Sequence, residues 1–76
     1  MFTESEKVRL AVGLKETKKA VAAGAEKVFL ADDAPEHIAE QIRAIAADRL
    51  TVVSSMRELG ALCGIEVKAS CAALRA

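Results

Sequence analysis

The feature that most restricts the fold of this chain is its alternation of short apolar runs with helical apolar stripes. "KVFLA", residues 27–31, is a continuous apolar run too short for a helix of its own and rich enough in Val and Phe for a central strand. The turn signal "DDAP" closes it, and Asp33 and Glu36 flank Pro35 as in the first turn of a helix. The apolar face of that helix, expected over Glu36 to Ala46, is Ile38, Ile42 and Ile45. Strands that alternate with amphipathic helices build crossovers, so the expectation is a layered α/β domain with helices on both faces of a small mixed sheet.

The other segments obey the same rule. Leu10, Ala11 and Val12 form a brief apolar run that ends at Gly13, which reads as a first strand and a turn. Thr17, Ala20, Val21 and Gly24 recur at helical spacing and predict a helix over residues 15–23, with Lys15, Lys18 and Lys19 off its buried stripe. "TVVS" is a third short strand, and Ser55 with Glu58 is a capping box opening a helix that buries Met56, Leu59 and Leu62 and stops at Gly64. A last strand is expected from about Ala69 to Leu74, its signal weakened by alanine. Thr3 and Glu6 have the spacing of a further capping box, for a short helix running towards Val8.

A length of 76 residues predicts one small domain, residues 1–76, and zero net charge with 53% apolar residues is a globular composition. No apolar stretch reaches the ~20 residues that span a bilayer and no signal peptide is read, so a cytoplasmic protein without a membrane partner is expected. Cys63 and Cys71 are eight apart and His37 is the lone histidine. That set falls short of a zinc site, so buried free thiols and no metal or other cofactor are expected. Without a Ser/His/Asp set, a P-loop or a dinucleotide fingerprint, enzymatic function has little to stand on. Asp32 and Asp33 suit a strand end and a helix cap better than an active-site pair.

The balanced charge conceals an asymmetry. Residues 7–27 carry six basic and two acidic side chains, a net +4, whereas residues 28–58 are net −3. That is the segregation a one-sided polyanion-binding surface needs. It places His37 on the surface of an acidic helix opposite the basic segment. If Gly13 ends a strand and a helix follows, free backbone N–H groups and the positive dipole end emerge at Gly13–Thr17, where anions bind readily. Lys15 and Lys19 are four apart, one above the other on a helix face. Glu16 between them repels phosphate when ionised, yet accepts hydrogen bonds from base amino groups such as those of guanine. Aromatics make up 3%, so only Phe2 and Phe29 could stack bases and a single-strand platform is disfavoured.

"GLKETKKA", then "KVFLADDAP", then "SMRELGALCGIEVKAS" together resemble the kink-turn-binding ribosomal protein family, the archaeal large-subunit L-seven-Ae type and its short bacterial relatives. The shared blocks are Gly-x-Asn/Lys-Glu/Gln-x-x-Lys at a helix start, an apolar strand ending in acidic residues, and a Leu-Gly helix running into an Ile-Glu-Val loop. The resemblance implies a three-layer α/β/α sandwich with a small mixed four-stranded sheet, which binds kink-turns, sharply bent RNA internal loops with tandem sheared G·A pairs. Matched by position, Gly13 lets the helix mouth approach the RNA backbone, Lys15 takes the position that is Asn in archaeal members and Lys in short bacterial ones, and Glu16 and Lys19 match the residues that read guanine edges and neighbouring phosphates; Leu14 and Lys18 complete the expected RNA-binding segment. Ile65, Glu66 and Val67 match the loop that covers extruded bases, with Lys68 near phosphate. The segment from Asp48 to Ser55 is shorter than the resemblance leads one to expect, which bears on the third strand.

The implied partner is a structured RNA, ribosomal RNA or a riboswitch, met by a monomer. The alternative is an assembly module that kept the fold and lost tight RNA binding. Ile65 and Val67 divide the two readings, because side chains that cover bases must be exposed in the free protein and core side chains must be buried.

Overall fold

The computed structural model describes residues 9–75. The capping box expected at Thr3 and Glu6 lies outside the described residues. Strand β1 (Leu10–Val12) leads into helix α1 (Leu14–Ala22), β2 (Lys27–Ala31), α2 (Glu36–Ala46), a 3₁₀ turn (Ala47–Arg49), β3 (Leu50–Val53), α3 (Met56–Leu62) and β4 (Cys71–Leu74). The sheet is mixed and four-stranded in the order β1-β4-β2-β3. β4 runs antiparallel to both of its neighbours, while β2 and β3 are parallel.

Side chains alternate across the sheet and make two cores. Val28 and Leu30 of β2, Cys71 and Ala73 of β4 and Ala11 of β1 face α1 and α2, where they meet Ala20, Ala39, Ile42 and Ala46. Phe29, Ala31 and Ala72 face the other way, towards Leu59 and Cys63 of the α3 segment. This is the α/β/α sandwich, with Phe29 half-buried in an interior strand. On α2, Ile42 is fully buried, but Ile38 and Ile45 are only half-buried beside the smaller Ala39 and Ala46, which let the helix lie close to the sheet.

Some expectations change in detail. Gly24 is not part of the buried stripe of α1: it is exposed, with a φ of +88° that a side chain would strain, and it ends the helix. The last strand is shorter than expected, yet all four of its residues are buried at the centre of the sheet. Its alanines are an asset there, because pairing on both edges and helices over both faces outweigh local propensity. α2 does not lie opposite α1. The two pack side by side on one face, joined where Lys18 donates to the Gln41 side chain at 3.1 Å. The short connection from α2 to β3 is made by the 3₁₀ turn, whose Ala47 sits at φ +51° and ψ −125°, a sparsely populated conformation that costs a non-glycine residue about 1–3 kcal/mol.

Cys63 and Cys71 are buried free thiols belonging to opposite cores. Burial pushes the Cys63 thiol up from its ordinary pKa. Native protein at pH 8 should therefore react with a thiol reagent far more slowly than urea-unfolded protein, as a colorimetric thiol assay would report. Ile42→Ala should cost about 2–5 kcal/mol in urea denaturation by opening the α2 core. Val52→Ala, at a side chain 56% exposed on the outer strand β3, should stay within about 0.5 kcal/mol of the parent.

Candidate functional site

Because β4 is antiparallel to β1 and β2, the carboxyl ends of those two strands and the amino end of β4 lie at one edge of the sheet. The mouth of α1 and the segment preceding β4 are therefore brought together. Gly13 N–H donates to the Cys71 carbonyl at 3.0 Å, and Ala31 N–H donates to the Ser70 carbonyl at 2.9 Å.

The mouth of α1 is open by construction. Gly13 sits at φ +94° and a Cβ there would meet nothing within 4 Å, so its glycine is required by backbone conformation and not by crowding. Being a glycine, it supplies no capping side chain, and the first intrahelical bond runs from Thr17 N–H to the Gly13 carbonyl. The amides of the first turn are left without a side-chain acceptor. Leu14 turns back against the core and contributes backbone here, while Lys15 and Lys19 are exposed. Lys18 leans towards α2 through Gln41. Glu16 leans the other way: its Oε2 lies 3.5 Å from Nη2 of Arg75, and its Oε1 lies 4.0 Å from Nζ of Lys19. Residues two apart point to nearly opposite flanks of a helix, which separates Lys18 from this cluster.

The loop from Gly64 to Lys68 is an arch built on α3. Ser55 Oγ accepts from Glu58 N–H at 3.0 Å, as the capping box requires, and Ser54 Oγ donates to the Glu58 carboxylate. Gly64, at φ +77°, turns the chain out of the helix. Ile65 N–H returns to the Gly60 carbonyl at 3.1 Å, and Ala69 N–H bonds the Met56 carbonyl at 3.0 Å. The backbone of Val67 thereby crosses over Gly60, where an added Cβ would stand 2.1 Å from the Val67 carbonyl oxygen. The two fastened ends of this arch hold its tip out from the protein: Ile65 is 36% and Val67 69% exposed, with Glu66 and Lys68 exposed beside them.

Asp33 departs from its expected role. Helix α2 has Pro35 at its N-cap and no capping side chain, whereas the Asp33 carboxylate accepts from Met56 N–H at 2.6 Å. It caps the start of α3 and so steadies the base of the arch. Sequence reasoning missed this, along with Gly60 and Arg75. For Gly60 a signal was present, a helix-interior glycine, which costs about 1 kcal/mol unless a close approach demands it. No cluster of three or more His, Cys, Asp or Glu side chains among the described residues could hold a metal ion, and no described helix is long and apolar enough to cross a membrane.

The chain is thus an α/β/α sandwich with an open basic helix mouth and an aliphatic arch at the same end of its sheet. The chain belongs to the Ribosomal protein L7Ae/L30e/S12e/Gadd45 family, which it matches over residues 3–76. It is similar to the RNA-binding protein TTE2299 of Caldanaerobacter subterraneus subsp. tengcongensis, with 38% identity over 66 residues, covering 82% of this chain and 80% of that protein.

Gly60→Ala tests the arch. Despite the gain in helix propensity, it should lower stability by about 1–3 kcal/mol, because the methyl group must push the Val67 backbone aside. Amide NMR shifts should move most at residues 65–69 and least in α2, which packs on the opposite face of the sheet.

Proposed function

We propose that this protein, acting as one domain, binds structured RNA and recognises kink-turns with tandem sheared G·A pairs, stabilising their bent form. The observation that carries the proposal is the placement on one sheet edge of two complementary surfaces: the uncapped mouth of α1 and the exposed tip of the Gly64–Lys68 arch. The RNA-binding relative supports it. In this reading the amides at Leu14–Glu16 with Lys15 and Lys19 meet phosphates, while Gly13, whose N–H is held by the Cys71 carbonyl, turns the chain into the helix; Glu16 accepts from a guanine amino group, and Ile65 and Val67 cover extruded bases. Lys18 must leave Gln41 to reach a phosphate, so its part is smaller. Lys68 lies beside the backbone and Glu66 shapes the loop. The bent RNA is favoured by the difference in affinity between its bent and extended states, and by nothing else.

The natural partner is then ribosomal RNA or a riboswitch in the cytoplasm, bound by a monomer that performs no catalysis. Fluorescence titration with one kink-turn RNA, and with the same RNA lacking its G·A pairs, tests this. The first should bind more tightly; equal binding would leave the assembly-module reading in its place. Lys19→Ala should weaken both RNAs and reduce the log–log salt slope by about 0.7–0.9, because one phosphate fewer is neutralised. Glu16→Ala should narrow the gap between the RNAs by about 1–3 kcal/mol. Ile65→Ser should reduce kink-turn affinity with only a small fall in melting temperature, since the side chain is 36% exposed and belongs to neither buried core.

A further inference from the structure

We propose that Arg75 is a specificity-determining residue: it holds the Glu16 carboxylate in the orientation that reads a base edge, and so sets discrimination between RNAs more than bare affinity. The inference rests on the RNA-binding reading above.

Arg75 follows β4, and its backbone is pinned to Arg9 at two points. Its N–H donates to the Arg9 carbonyl at 2.9 Å, and its carbonyl accepts from Arg9 Nη1 at 3.1 Å. Arg9 is itself held by Glu26, with Nη1 3.4 Å from Oε2. From this fixed base the Arg75 guanidinium reaches across to Oε2 of Glu16, while Lys19 stands by the other oxygen. With Arg75 Nη2 3.5 Å from one oxygen and Lys19 Nζ 4.0 Å from the other, the rotamers of Glu16 that keep its carboxylate between the two cations are favoured.

Both partners are about half-exposed, so the pair adds little to folding stability. Its effect on binding is different, because a side chain already ordered loses less entropy when a ligand engages it. An ionised carboxylate offers about four acceptor positions, so one contact at each oxygen leaves room for a base donor. The two flanking cations also reverse the local charge, which offsets the repulsion that a bare carboxylate would meet among phosphates. Arg75 thus allows an acidic reader to work on a polyanion.

The test is a double-mutant cycle on the full chain with the same pair of RNAs, the kink-turn and its counterpart without G·A pairs, comparing the parent, Arg75→Ala, Glu16→Ala and the double variant. Melting temperature serves as the control for folding. Arg75→Ala should reduce the ratio of the two affinities about three- to tenfold in the parent, and should leave that ratio unchanged in the Glu16→Ala background. A plain phosphate contact behaves otherwise: it would weaken both RNAs by the same factor and add independently to Glu16→Ala, which would overturn the inference while sparing the proposed function. Equal binding of both RNAs by the parent would overturn the proposed function, and the inference with it.

Discussion

The antiparallel insertion of β4 between β1 and β2 is the constraint on which the rest of the structure depends. A chain made only of strand–helix crossovers would line up the carboxyl ends of its strands and send each return to the far edge. Here the last strand starts where the others end. Whatever precedes β4 must therefore arrive beside the mouth of α1, and the Gly13–Cys71 hydrogen bond joins the two segments directly. Small side chains make the insertion possible, since a strand buried on both faces must fit between two helical layers, and Cys-Ala-Ala leaves the helices room to approach.

The arch before β4 depends on a close contact of backbone with backbone. Gly60 admits the Val67 carbonyl against α3, and hydrogen bonds from Ile65 and Ala69 fasten the two ends of the loop to the same helix. An aliphatic tip raised on such a frame can stay exposed without collapsing onto the core. Exposed apolar groups are a liability in a lone protein, and a partner that covers them removes it. Asp33 shares in this frame, because the amide it caps belongs to Met56, the residue whose carbonyl receives Ala69.

Charge is organised more locally than its distribution along the chain implies. The acidic helix α2 lies beside the basic helix α1, and Asp33 stands at the same sheet edge as Gly13, spent on a backbone amide. What remains at the helix mouth is a mixed cluster, with Glu16 set between Arg75 and Lys19 and with Lys15 exposed nearby. In the RNA-binding reading proposed above, that carboxylate is the group that tells bases apart, since charge alone attracts every sequence alike.

Sequence by itself determined the elements whose signals are local. The apolar run Lys27–Ala31, the helix Glu36–Ala46, the Ser55 cap and the glycine stop at Gly64 each follow from residues within a few positions of one another, and the structure has all of them. The three motif blocks also marked the family correctly. Tertiary structure alone decided that the last, alanine-rich strand would lie inside the sheet between β1 and β2, that Gly60 would face the Val67 carbonyl, that Asp33 would cap a helix 23 residues away, and that Arg75 would reach Glu16 across 59 positions. The physical reason is common to these cases. Periodicity and capping patterns record which side of an element is apolar and where it starts, whereas pairing order in a sheet is set by how the finished layers fill space, and partners made neighbours by that packing leave no mark at short range in the chain.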